Sequence, residues 1–344
     1  MEVRSALAIA VTSIFAAIAG DASAAPIIAG DVFVSYERQG VGLVRHYNSS
    51  MNLLETLSPT SAGFTFAIGM AFDCVGDLFV TNLNQPFISR FSRVDGSALS
   101  PWNTGFSGQE DILFDGWGNA WVSSTIGGID KFSSSGAHLG TYLPGQRTDW
   151  IDLASDQKTM LYTHEGQGSD AVLRADVGSF PGTNLSDLVL LPATPPGSVG
   201  YAVKLLPNGD VLVSDRTEIL RYSSTGALIR SYDAPGHDVW FGMSVGGGGT
   251  SLWAVDLVMQ DIVNIDLTTG VPTITSMNDN TVFMGSVIVA GGYRTAACAG
   301  CNTVSEPNNF ALALAGLLSL ALFSSASRKS AVFKAIDVPR REDA

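Results

Sequence analysis

The chain is poor in cysteine and in charge. Three cysteines in 344 residues, Cys74, Cys298 and Cys301, exclude a disulfide framework. Cys298 and Cys301 make a lone CxxC with no second pair and no nearby histidine pair, so a structural zinc site lacks its ligands. A thioredoxin-type pair would need a βαβ setting that is missing here. The pair reads as a local disulfide or two free thiols in a linker, and Cys74 as a small buried apolar residue. Charged residues are 15% of the chain, with 19 basic against 32 acidic, for a net charge of −13. Nucleic acid is excluded as a partner, because phosphate binding needs a basic face. His237-Asp238 has no serine or cysteine in a nucleophile elbow to complete a triad.

What the chain has in quantity is apolar residues, at 46%, together with 37 glycines and 14 prolines. That suits a large core crossed by many turns, as in an all-β protein. The length allows one large domain or two average ones.

A seven-residue motif recurs: GDVFVSY from Gly30, GDLFVTN from Gly76, GNAWVSS from Gly118, KTMLYTH from Lys158, GDVLVSD from Gly209 and TSLWAVD from Thr250. Successive starts are about 40–50 residues apart, a period that means a propeller or a solenoid. The leading Gly-Asp or Gly-Asn is a hairpin signal, and the apolar run after it suits a strand buried between sheets. Each copy is followed by a third element such as Ile88–Ser92 or Ile219–Ser223, a glycine turn, and a fourth strand such as Ala227–Tyr232. Each is preceded by an apolar strand, such as Ile68–Phe72 or Phe241–Val245, except the first. An orphan strand, Ser286–Ala290, stands at the far end. The expected fold is therefore an all-β, six-bladed β-propeller, with the orphan as the innermost strand of the blade begun by Asp31–Leu57. Closing the ring in this way removes the exposed edge.

The GDLFVTN…ISRFSRVDG and GDVLVSD…ILRYSSTG units resemble the NHL-repeat and gluconolactonase-like six-bladed propellers over residues 25–292. Propeller ligands bind around the axis, so the last residue of each motif copy is a candidate ligand contact: Tyr36, Asn82, Ser124, His164, Asp215 and Asp256. In gluconolactonase-like relatives a divalent metal sits on the axis. The resemblance implies Ca²⁺ or another divalent cation on Asn82, Asp215 and Asp256, activating water for attack on a lactone, with His164-Glu165 adding a base. The alternative for Asp215 and Asp256 is a turn-forming role. Glu110-Asp111 with Asp149 and Asp152 reads as solvated loop residues, or else as a cation cluster. Most of the tryptophans read as core or blade-seam packing, with Trp150 and Trp240 placed where a sugar ring could stack.

The two ends carry addresses. Met1–Ala24 resembles a secretory signal peptide, with Arg4, the apolar run Ala6–Ala19 and the small-x-small site Ala22-Ser23-Ala24; removal is expected near Ala24 or Ala25. After a linker at 293–304, Ser305-Glu306-Pro307, the apolar run Phe310–Phe323 and basic Arg328-Lys329 resemble the PEP-CTERM sorting signal of Gram-negative bacteria. Ser305 stands where that family has proline, and the tail at 330–344 is longer than usual. The resemblance implies a transmembrane helix within 305–329, an exosortase and the Sec translocon as partners, transient inner-membrane anchoring, and association with exopolysaccharide. The expected function is a surface or extracellular-matrix binding module. The alternative is a metal-dependent lactonase-type hydrolase or a lyase, since propellers host both classes.

Overall fold

The computed structural model describes residues 25–58, 65–165, 171–191, 199–277, 279 and 282–294. The expected signal peptide, sorting segment and tail lie outside these residues. Among the described residues there is no α-helix, only a 3-10 turn at Gly247–Gly249, and no helix long and apolar enough to cross a membrane.

Six sheets form the six expected blades. From the axis outward the first blade has strands Val282–Val289, Val32–Arg38, Val41–Tyr47 and Leu53–Leu57. The second has Ala67–Phe72, Leu78–Asn82, Phe87–Phe91 and Ala98–Asn103. The third has Gln109–Phe114, Ala120–Ser124, Ile129–Phe132 and His138–Tyr142. The fourth has Trp150–Leu153, Thr159–Thr163 and Ala171–Asp176, with its outer edge split into Thr183–Asn184 and Val189–Leu190. The fifth has Val203–Leu205, Val211–Ser214, Ile219–Tyr222 and Leu228–Tyr232; the sixth has Trp240–Val245, Ser251–Asp256, Asp261–Asp266 and Pro272–Ser276. The ring closes as the strand count requires: the last strand pairs antiparallel with the first, Val32 opposite Val289 and Phe33 opposite Ile288.

The second strand of each blade is the seven-residue motif, and its apolar run is buried on both faces, as in Leu78–Asn82 and Ala120–Ser124. The leading glycine supplies the left-handed residue of the hairpin, with φ of 94° at Gly76 and 84° at Gly209. The two copies that lack it recruit the residue just upstream, Gln157 at 59° and Gly249 at 71°. The backbone geometry is thus kept where the letters are lost.

The sixth motif residue stitches the blades together. Its hydroxyl donates to a carbonyl on the inner strand of the next blade: Ser35 to Ile68, Thr81 to Glu110 at 2.8 Å, Ser123 to Asp149, Thr163 to Tyr201, and Ser214 to Phe241 at 2.9 Å. The same oxygen accepts an inner-strand N–H of its own blade, from Gly69, Asp111, Ala202 and Ser286 at 2.7–2.8 Å. Three of these N–H groups, those of Gly69, Asp111 and Ser286, sit at irregularities in the ladder, where a backbone partner is lost. The sixth blade has Val255 at this position. Close approach does the rest: a Cβ on Gly69 would lie 2.4 Å from the Glu110 carbonyl oxygen and 2.6 Å from Asp111 Cα.

Two expectations change. Cys74 is half-buried and disulfide-bonded, not a buried apolar thiol. Its partner lies outside the described residues, and the only other cysteines in the chain are Cys298 and Cys301. Arg294 donates to the Asp73 carbonyl at 3.1 Å, which brings the chain leading to both of them beside Cys74. Trp150 and Trp240 are wholly buried and cannot stack on a sugar. Trp117 stands outside the packing, 60% exposed.

Candidate functional site along the propeller axis

The pairing register puts one residue from each inner strand at a common level, opposite the fourth residue of each motif: Ala71, Leu113, Asp152, Lys204, Ser244 and Ile288. They line an axial cavity of about 100 Å³, which Asp111 also enters. Lys204 Nζ lies 3.3 Å from Asp111 Oδ2. Asp111 accepts backbone N–H bonds from Ile112 at 2.9 Å and, across the seam, from Ile151 at 3.3 Å. Asp152 accepts from Leu153 at 3.0 Å and from Leu205 of the next blade at 2.6 Å. Burial pushes the Asp152 carboxyl up to about 6, against the pull of Lys204 and the two N–H donors. Burial works against the Lys204 ammonium, but Asp111 and Asp152 outweigh it and hold its pKa above the usual value. Lys204 of the fifth blade thus pairs with Asp111 of the third, with Asp152 of the fourth acting on it electrostatically.

A second cluster lies nearer the face where the motif strands end. Arg147 Nε is 2.8 and 2.9 Å from the two oxygens of Asp149, and its Nη2 is 3.9 Å from Glu165 Oε2. The Glu165 backbone N–H also donates to Asp149. Glu110 is buried beside them. Burial, then the charges of Asp149 and Glu165, push its carboxyl well above the usual range, with partial relief from Arg147. Glu165 is pushed to about 7 by burial and by Asp149, while Arg147 and a hydrogen bond from Glu110 act the other way. A carboxyl pushed well above its usual range thus adjoins Asp149, and Glu165 can gain or lose a proton near neutral pH. Arg147 also lines an open cleft of about 560 Å³ with Leu83, Asn84, Ser107, Gly108 and Thr125.

Glu110, Asp111, Asp149 and Asp152 are therefore not solvated loop residues. The first three are almost fully buried, and all four belong to the two axial clusters. Lys204, Arg147 and the cleft were not legible in the sequence. Lys204 stands inside an ordinary strand pattern, and Arg147 lies before one.

The residues expected as ligand contacts all stand at the motif-strand ends. Tyr36, Asn82, Ser124, Asp215 and Asp256 are buried, and His164 is half-buried. The polar groups of Asp256, Asp215 and Asn82 hold nearby loops and strands. Asp256 accepts from Val258 and Met259, both at 2.7 Å, and from Val239 at 3.4 Å. Asp215 accepts from Arg216 at 2.6 Å and Val199 at 3.2 Å. The Asn82 amide donates to Phe87 and Ser89, each at 3.1 Å, and its buried Oδ1 has no partner among the described residues. Among the described residues no three His, Cys, Asp or Glu side chains converge to hold a metal ion. Asp215 and Asp256 thus spend carboxylate oxygens on backbone N–H groups, the turn-forming role that the sequence also allowed. His237 pairs with Asp261 at 3.0 Å, not with Asp238, and stacks on Trp240.

Fold and axis define a six-bladed β-propeller. No family model matches the sequence, and no curated protein matches it significantly. Similar solved structures include a chain of a nidogen/laminin complex, with TM-score 0.58 and 14% identity over 76% of this chain and 100% of that one. A protein of unknown function from Bacteroides caccae has TM-score 0.57 and 13% identity, covering 75% and 98%. A streptogramin B lyase has TM-score 0.51 and 15% identity, covering 73% and 84%. At such identities the likeness is one of fold.

Proposed function

We propose that this chain is an exported propeller that acts as a binding module at the cell surface or in the extracellular matrix, delivered through the Sec translocon and sorted by an exosortase. The observation that carries the export reading is the disulfide at Cys74, since such bonds persist in oxidising compartments and are rare in the cytosol. The binding reading rests on the cleft beside Arg147. Its amide, hydroxyl and guanidinium donors suit a hydroxylated ligand such as an exopolysaccharide strand. Asp149 fixes the Arg147 fork in place, so little side-chain entropy is lost on binding. Structural likeness to a nidogen/laminin propeller is compatible with an interaction role.

A second reading, a hydrolase or lyase, is favoured by Glu110 and Glu165. They have the proton-transfer character of a general acid–base pair. One experiment separates the two. The exported protein is tested for co-sedimentation with purified exopolysaccharide and for lactone and glycoside turnover, alongside Arg147→Ala and Glu165→Gln. Binding lost in Arg147→Ala, with no turnover, supports the binding module. Turnover abolished in Glu165→Gln would replace it with the enzyme reading.

A further inference from the structure

The outer half of the first blade holds a chain of charges that neither axial cluster uses. His46 is wholly buried and stacks on Phe33, with ring centroids 4.2 Å apart. Its Nε2 lies 2.9 Å from Asp31 Oδ2, and its Nδ1 lies 3.0 Å from Glu55 Oε1. Asp31 Oδ2 also accepts the Ile28 N–H at 2.9 Å. Register makes the Glu55 contact, because Glu55 stands directly opposite His46 in the outer pair of strands. Each ring nitrogen faces a carboxylate oxygen, so a single imidazole stands between two acidic side chains. The group at the open end of this array is the backbone nitrogen of Ala25, 3.0 Å from the same Glu55 Oε1.

That nitrogen follows Ala22-Ser23-Ala24, the small-x-small site of the sequence. In the uncut chain it is an amide with one neutral N–H. After a cut behind Ala24 it is an α-ammonium, with three donors and a positive charge. Charge-assisted hydrogen bonds of this kind are about twice as strong as neutral ones. We propose that Ala25 is the mature N-terminus and that Glu55 is the receptor for its ammonium, so that leader removal places a fixed positive charge beside the acidic pair Asp31 and Glu55. The covalent step is hydrolysis by a leader peptidase. One water is consumed as the Ala24–Ala25 amide bond breaks: its oxygen joins the Ala24 carbonyl carbon as the new carboxylate, and its two protons go to the Ala25 nitrogen, which becomes the ammonium. The Glu55 side chain is 16% exposed, so the pair is partly desolvated and holds better than an open surface pair. The lead-in it anchors is also tied at Ile27 N to Arg93 O of the second blade and at Gly30 N to Ala290 O of the closing strand, at 2.9 and 2.8 Å. Processing therefore tightens the seam that closes the ring.

The cut rests on the export reading; the docking does not, and the two are tested separately. For docking, a fusion cleaved to leave residues 25–344 with a free Ala25 amine is acylated at pH 7. The α-amine should react about tenfold more slowly in the wild type than in Glu55→Gln, corresponding to about one unit in its pKa. If that variant does not fold, the folded wild type is compared with the same chain in urea, with the same expectation. Equal rates would overturn the docking. For the cut, the exported protein is sequenced from its N-terminus. A start at Ala25 supports the proposal. A start at another residue of the lead-in overturns it and leaves export standing, whereas a retained Met1 overturns both.

Discussion

Asp152 gives the sharpest test of the axial electrostatics. Its carboxyl moves from 3.8 to about 6 because burial outweighs Lys204 and two backbone donors. The folded-state pKa is the higher one, so between pH 4 and 6 the native chain holds a proton that the unfolded chain has released. Stability therefore falls as pH rises through this window, and the loss is complete above the folded pKa. A displacement of about two units corresponds to about 3 kcal/mol. Asparagine has the shape of the protonated carboxyl and cannot ionise. The amide NH2 faces one of the two backbone N–H donors, a cost that does not vary with pH. Relative to the wild type, Asp152→Asn should therefore gain about 3 kcal/mol between pH 4 and pH 7. Glu110 and Glu165 are raised in both proteins and cancel in the difference. Urea titrations at several pH values, followed by the fluorescence of the buried Trp121, Trp150 and Trp240, read the effect. A difference that stays flat from pH 4 to 7, or favours the wild type as pH rises, would refute the reasoning.

Other consequences can be checked on the same preparation. Gly69→Ala drives a methyl into the Glu110 carbonyl and should cost about 3 kcal/mol or more, seen as a lower urea midpoint. Ser214→Ala removes the bond to the Phe241 carbonyl and orphans the Ala202 N–H, for a loss of about 1–3 kcal/mol; the exposed Thr225→Ala should be near neutral. Reducing the Cys74 disulfide should lower the urea midpoint by an amount worth about 2–4 kcal/mol. Thiol alkylation before reduction should label one cysteine of the three, and it should not be Cys74.

The repeat period and the alternation of apolar residues were enough to define six blades. The surplus strand at the far end was enough to define the closure. These are local signals: a strand buried on both faces must be apolar along its length, and a hairpin needs a residue that tolerates positive φ. The motif even shows the blade-to-blade stitch, as a serine or threonine at its sixth position in five of the six copies.

What the tertiary structure alone decided is which distant residues meet. Asp111, Asp152 and Lys204 come from three different blades and touch only because inner strands converge on an axis. Glu110 and Asp149 looked like solvated loop residues until the neighbouring blade covered them. Asp215 and Asp256 could be ligands or turn-formers by sequence, and only the structure shows their carboxylates accepting backbone N–H bonds of nearby loops. Burial and pairing are properties of the closed ring. A sequence read one strand at a time gives the type of each side chain, whereas closure sets which of them are withdrawn from water and what each then faces.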